Sequence, residues 1–276
     1  MELGISSLGN IIENALSNKF TNISNMFYHS TEECFKFAEE NGITVVEIVV
    51  DPQDMFLGEM KQAYLELFKS YSMVKQVHGP FIDVNLCSHN KGISQASIDA
   101  YIETSQFCRE FQAKILTIHP GLANFMLKSL RDYNRIQLAK AINIILDMTK
   151  NLDISICLEN MPKNTHIMLD QDNIKENLNS INRKELFLTY DTSHFYTNNG
   201  DVNLLWERYH KIIKNVHLVE NFTTESDTHP QLGSGKIDFK HILEIIERYE
   251  YKGALIIELS SEEGLEQSIN YISKFL

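Results

Sequence analysis

The sequence predicts a single (β/α)8 barrel domain over residues 1–276, and three observations predict it. Eight apolar, β-branched runs punctuate the chain. They are continuous rather than alternating, as expected of parallel strands covered on both faces. Amphipathic helical patterns lie between them, and the runs start about 30 to 40 residues apart, close to one βα unit of an eightfold barrel.

The candidate strands are Glu2–Ser6, Thr44–Val50, Met73–His78, Lys114–His119, Ile154–Glu159, Leu186–Asp191, Ile213–Val219 and Ala254–Leu259. The final helix repeats Leu265, Ile269, Ile272 and Leu276 along one face. The helix Phe239–Tyr249 carries Phe239, Ile242, Leu243 and Ile246 in the same way, with Asp238 placed to cap it. A doubly wound open sheet is the alternative. It would carry a phosphate-binding glycine loop after an early strand, and Gly4-Ile5-Ser6-Ser7-Leu8-Gly9 is too loose a match.

Composition narrows the class. Of 276 residues 43% are hydrophobic, enough for a large core. No apolar run reaches the ~18 residues that span a membrane. The N-terminus lacks the basic start and long apolar segment of a signal peptide. Cys34, Cys87, Cys108 and Cys157 form no Cys-x-x-Cys pair and read as reduced thiols, so a cytoplasmic protein is expected. A formal net charge of −12 argues against a generic nucleic-acid or anionic-membrane binder. That balance softens if several carboxylates hold divalent cations.

In such a barrel, chemistry sits at the C-terminal ends of the strands. The third candidate strand ends in His78, the fourth in His119 and the fifth in Glu159. The sixth ends in Asp191, with His194 three residues later. The seventh ends around His217 and is followed by Asp227 and His229. The eighth ends at Glu258. Five of the ten histidines and four carboxylates therefore converge on one rim. A lone strand-end histidine is usually a wall residue, and a strand-end Asp usually a helix cap. Nine such residues at one level point instead to metal, because that many buried charges are costly without cations. Imidazole with carboxylate suits Zn²⁺, with Mn²⁺ or Fe as alternatives, and nine ligands suggest two or three ions. His29, His89, His166, His210 and His241 fall in loops or helices and receive no role.

The segment Asp227-Thr-His-Pro-Gln-Leu-Gly-Ser-Gly235 resembles the Asp-x-His-x-x-Leu-Gly-x-Gly motif of the xylose isomerase-like barrels, specifically their endonuclease IV branch. Tyr190-Asp-Thr-Ser-His194, Leu116-Thr-Ile-His-Pro-Gly121 and His78-Gly-Pro-Phe81 with Val84-Asn85-Leu86 are similar to further motifs of that branch. The resemblance implies three zinc ions. His78, His119 and Glu159 would hold the first. Glu159, Asp191, His217 and Glu258 would hold the second, and His194, Asp227 and His229 the third. It further implies hydroxide attack on a phosphodiester at an abasic site in DNA. Phe81 and Lys236 would contact the substrate, and Glu159 would help to hold the attacking water.

Three features depart from that branch. Glu159 is followed by Asn160-Met161-Pro162-Lys163 rather than by small residues. Glu47, in Val-Glu-Ile, is similar to the sugar isomerase and epimerase branch. The loop Asp51–Glu59 is acidic where a DNA-gripping loop would be basic, and Lys91, Lys128, Arg131, Lys163 and Lys236 are scattered. The alternative is therefore a sugar or sugar-phosphate isomerase or epimerase, in which Glu159 and Glu258 are the catalytic proton carriers beside one metal-polarised carbonyl. A non-enzymatic binding protein on a barrel scaffold is a third reading. For either enzyme, histidine ligation predicts activity that falls below about pH 6.

Overall fold

The computed structural model describes residues 1–51 and 53–276, with the side chains of residues 53 and 54 excepted. Eight parallel strands close into a barrel in sequence order. They are β1 (Glu2–Ser6), β2 (Val45–Val49), β3 (Val74–His78), β4 (Ile115–Ile118), β5 (Ser155–Glu159), β6 (Phe187–Asp191), β7 (Ile213–Leu218) and β8 (Ala254–Ile257). All eight expected strands are present, each trimmed by no more than two residues at an end.

Helices wrap the barrel: α1 (Leu8–Leu16), α2 (Ile23–Glu40), α3 (Gly58–Ser70), α4 (Lys91–Glu110), α5 (Arg131–Thr149), α6 (Gln171–Ile181), α7 (Thr192–Thr197), α8 (Val202–Tyr209), α9 (Phe239–Arg248) and α10 (Leu265–Ile272). The β1–β2 connection holds two helices, α1 and α2, and α1 starts directly at the mouth. Asp238 caps α9, accepting from the His241 N–H at 3.0 Å. Among the described residues no helix is long and apolar enough to cross a membrane.

The main core lies between strands and helices. All four cysteines are buried and unpaired there or in the barrel wall. Inside the barrel, Val45, Ala254 and Ile256 form a small apolar floor. Above that floor the interior turns polar. The Asn215 amide donates to Glu47 Oε2 at 2.6 Å and to Thr117 Oγ1 at 3.1 Å, and Thr117 meets Thr189 at 2.9 Å. Strands β2, β4, β6 and β7 are thus joined across the barrel by hydrogen bonds among fully buried groups. The candidate ligands stand one level higher.

The register helps to align them. Between Leu188 and Thr189 the β6–β7 pairing shifts, after which Asp191 lies opposite His217.

Core packing outside the barrel has a direct test. Phe35 of α2 is fully buried, stacked on Tyr71 at 5.0 Å and edge-on to Phe68 at 5.5 Å. Phe35→Ala should cost about 3–5 kcal/mol of stability. Denaturant titration followed by the fluorescence of the single tryptophan, Trp206, measures it.

Candidate metal centre and active site

Glu159, at the end of β5, has no exposed surface and meets four imidazoles. Its Oε2 is 2.9 Å from His119 Nε2 and 3.5 Å from His78 Nε2. Its Oε1 is 3.2 Å from His217 Nδ1 and 3.3 Å from His194 Nδ1. Burial alone would raise the Glu159 pKa, but the charges of His217 and His119 hold it well below the usual carboxylate range.

The nine strand-end residues are brought together at this level. Ligand atoms of His78, His119 and Glu159 form one group, those of Glu159, Asp191 and His217 a second, and those of His194, Asp227 and His229 a third, with no pair within a group more than 4.8 Å apart. Glu258 approaches the second group, its Oε2 4.0 Å from His217 Nδ1, and the third, its Oε1 3.4 Å from His229 Nδ1. Phe81 covers the first, with ring centroids 5.4 Å from His78 and 5.8 Å from His119. Lys236 is exposed and is not among the residues lining the cavity over the cluster. Nor do Lys91, Lys128, Arg131 and Lys163 line it, and Lys163 is paired with Glu225 at 2.6 Å.

Backbone and neighbouring side chains aim the ligands. His78 Nδ1 donates to Gly79 O at 2.8 Å, which turns Nε2 toward Glu159. The Asn160 side chain brackets Asp191, accepting from its N–H at 2.8 Å and donating to its carbonyl at 3.0 Å. His194 Nδ1 donates to Asn160 O at 2.9 Å, leaving Nε2 to face Asp227 at 3.0 Å. Asp191 also caps α7 through the His194 N–H at 2.6 Å. The residue that caps this helix is thus also a candidate ligand.

Two buried acids were given no site role by sequence reasoning. Glu47 Oε1 lies 2.9 Å from His217 Nε2. A carboxylate there favours the proton on Nε2 and frees Nδ1 to face the cluster, as carboxylate–histidine pairs do behind metals. An acid in the middle of Val45-Val-Glu-Ile-Val49 was the available signal. Glu220, just after β7, accepts from the N–H groups of Gly233, Ile237 and Asn221 at 3.0, 3.0 and 2.9 Å. It thereby folds the loop that carries Asp227 and His229. A Cβ at Gly235 would lie 2.4 Å from Asn221 O, so the second glycine of the motif permits this close fold. The acidic loop also has a structural use, because Asp51 Oδ2 accepts from the Ile82 N–H at 3.2 Å. Pro52 and the side chains of Gln53 and Asp54 lie outside the described residues.

The residues present fit divalent cations. Asp191 Oδ2, Glu258 Oε2 and His229 Nδ1 are buried without any hydrogen-bond partner in the protein, an expensive arrangement unless something electropositive meets them. The protons answer in the same sense. Burial would lower the His78 pKa, but Glu159 outweighs it and raises it to about 8. His217, against Glu47 and Glu159, and His194, against Asp191 and Asp227, are likewise raised well above the usual value despite burial. Burial pushes Asp191 up to about 7. His119 goes the other way, its burial lowering its pKa despite Glu159, so the attraction for protons is confined to the other imidazoles of the cluster.

A family model described as xylose isomerase-like TIM barrel matches residues 35–275, and the chain belongs to that family. An uncharacterized protein of Methanocaldococcus jannaschii is 26% identical over 239 residues, covering 86% of this chain and 90% of that protein. A probable endonuclease 4 of Mycoplasma pneumoniae is 27% identical over 231 residues, covering 78% and 77% respectively. Among solved structures, a D-tagatose 3-epimerase-like protein superposes with a TM-score of 0.83 at 21% identity, over 100% of this chain and 97% of that one. That likeness speaks for the fold.

Three outcomes are expected. Raised histidine pKa values stabilise the metal-free fold below about pH 6.5, and that contribution is lost as pH rises through about 8. Because only neutral imidazole ligates, zinc uptake at neutral pH should release protons and strengthen from about pH 6 to 8. Calorimetry in two buffers of different ionisation enthalpy reads both, and pH-independent uptake without proton release would contradict histidine ligation. Glu47→Gln keeps the shape of the polar layer but removes the charge behind His217. It should weaken zinc binding by roughly 10–100-fold, measured by competition with a chromogenic chelator.

Proposed function

We propose that this xylose isomerase-like barrel is a metal-dependent isomerase or epimerase, moving a proton next to the carbonyl of an uncharged substrate that presents hydroxyl and carbonyl oxygens to the cluster. The observation that carries the reading is the cavity over the ligand cluster. Its volume is about 740 Å³, and no lysine or arginine is found among the described residues that line it. An enzyme gripping DNA depends on cationic contacts to phosphates, and this chain has a formal net charge of −12. A neutral substrate needs no such contacts.

Glu159, Asp191, His217 and Glu258 would hold the ion. When bound, it supplies Lewis-acid polarisation of a substrate carbonyl. Glu159 and Glu258 both line the cavity and approach the same atom of the proposed ligand His217, Nδ1, at 3.2 and 4.0 Å. One carboxylate takes the proton from the carbon beside the carbonyl, and the other returns a proton to the opposite face or to the neighbouring carbon. Glu258 has the freer oxygen, since its Oε2 has no hydrogen-bond partner. His78, His119, Asp227 and His229 then orient substrate hydroxyls.

A second reading, cleavage of abasic-site DNA with two or three zinc ions, is favoured by one observation. His78 and His119 with the shared Glu159, and His194 with Asp227 and His229, form ligand groups in addition to the one an isomerase needs. The Mycoplasma pneumoniae relative named probable endonuclease 4 points the same way.

The test is metal-loaded protein in D₂O with a panel of ketoses and aldoses, followed by proton NMR. The expected result is loss of the signal from the carbon next to the carbonyl, abolished by Glu258→Gln. Chelator-sensitive scission of an abasic duplex without any such exchange would overturn the reading in favour of the second.

A further inference from the structure

The cavity over the cluster has two unlike halves. Its more polar half comes from β3 to β8: the strand-end residues of the cluster, with Asn164, Thr165, Thr228 and Ser260 from the loops after β5, β7 and β8, beside the apolar Met161 and Pro162. The other half is built by α1, α2 and the loop after β3, and its wall is apolar. Ile12 and Met26 are half-buried there, with Phe27 buried behind them and Phe81 reaching back to the ligand histidines. At the lip, Ile23 is 56% and Ile82 64% exposed.

This division bears on what the site binds. The β1–β2 connection places an extra amphipathic helix, α1, at the barrel mouth, with Ile11 and Ile12 turned to the cavity rather than to solvent. A substrate with a hydroxyl on every carbon would leave hydroxyls against this wall without partners. Each would weaken binding by about tenfold. A phosphate tail would find neither cation nor amide donor among the wall side chains. An alkyl or aryl group gains there, and would cover the exposed Ile23 and Ile82 at the lip. The volume suits a ligand larger than a bare sugar, within the roughly 300–1,000 Å³ typical of sites for drug-sized molecules.

We propose that the substrate is amphipathic: an oxygen-rich end lies at the ligand cluster, and an alkyl or aryl substituent is lodged between α1, α2 and the loop after β3. This rests on the reading of the cluster as a metal site. It is independent of which bond the enzyme makes or breaks.

The test separates the two. Acetohydroxamate and hexanohydroxamate share one metal-chelating head and differ only in the apolar tail. On zinc-loaded protein, calorimetry should give hexanohydroxamate an affinity at least about tenfold higher, in line with burial of several methylenes. Ile82→Asn, at an exposed position that the core does not need, and Ile12→Asn should each reduce that preference to within about threefold. Acetohydroxamate binding should stay unchanged in both and reports that the site is intact. Equal affinities of the two hydroxamates for the unaltered protein would overturn the apolar subsite alone. A preference that survives both substitutions would do the same. If neither compound binds, the metal reading fails and the proposal falls with it.

Discussion

A single buried carboxylate, Glu159, sets the terms for this site. It is ringed by His78, His119, His194 and His217 at 2.9 to 3.5 Å. A charge with no exposed surface is tolerated only when paired and hydrogen-bonded, and each imidazole must in turn be aimed. Gly79 O fixes His78, Asn160 O fixes His194, and Glu47 stands behind His217. The polar layer of Asn215, Thr117 and Thr189 follows from the same constraint. It replaces the branched apolar packing usual inside such barrels with groups that can hold Glu47 in place.

The constraint reaches outward through the loops. Thr192, directly after Asp191, ties α7 to β7, its hydroxyl donating to Val219 O at 2.7 Å and accepting from the Val219 N–H at 2.8 Å. Asn221 donates to Ser193 Oγ at 2.9 Å, and Ser193 donates to Asp227 at 2.5 Å. The candidate loop ligands Asp227 and His229 are therefore held by hydrogen bonds anchored in the barrel wall. The glycine turn, the helix cap and the buried acid Glu220 are parts of one support.

Charge and shape divide the mouth of the barrel. Carboxylates and imidazoles line its base, where Asp191 Oδ2 and Glu258 Oε2 have no hydrogen-bond partner. The wall from α1 and α2 carries neither charge nor hydrogen-bond donors from its side chains. None of the lysines and arginines considered for the rim lines the cavity. Lys163 pairs with Glu225, and Arg131 donates to Asn124 O. A site so arranged favours ligands that bring oxygen atoms to the floor and little charge elsewhere.

The sequence alone determined the barrel and the level of the site. Parallel strands buried on both faces must be apolar throughout, so eight such runs are visible without coordinates. A ligand at a strand end is visible as the residue at which each run stops. Asp191, His217 and Glu258 could therefore be read as neighbours although they are far apart in the chain. What only the tertiary structure decided lies across the barrel and in its loops. Pairing Glu47 of β2 with His217 and Asn215 of β7 depends on strand stagger around the barrel, and the alignment of Asp191 with His217 follows the shift between Leu188 and Thr189. Neither is encoded in the residues of one strand. The fold of α1 and α2 over the mouth likewise turned a helix pair, which sequence shows only as amphipathic, into one wall of the cavity. Which face of a helix meets the core and which meets a site is settled by the packing of distant elements, because apolar residues look alike in both places.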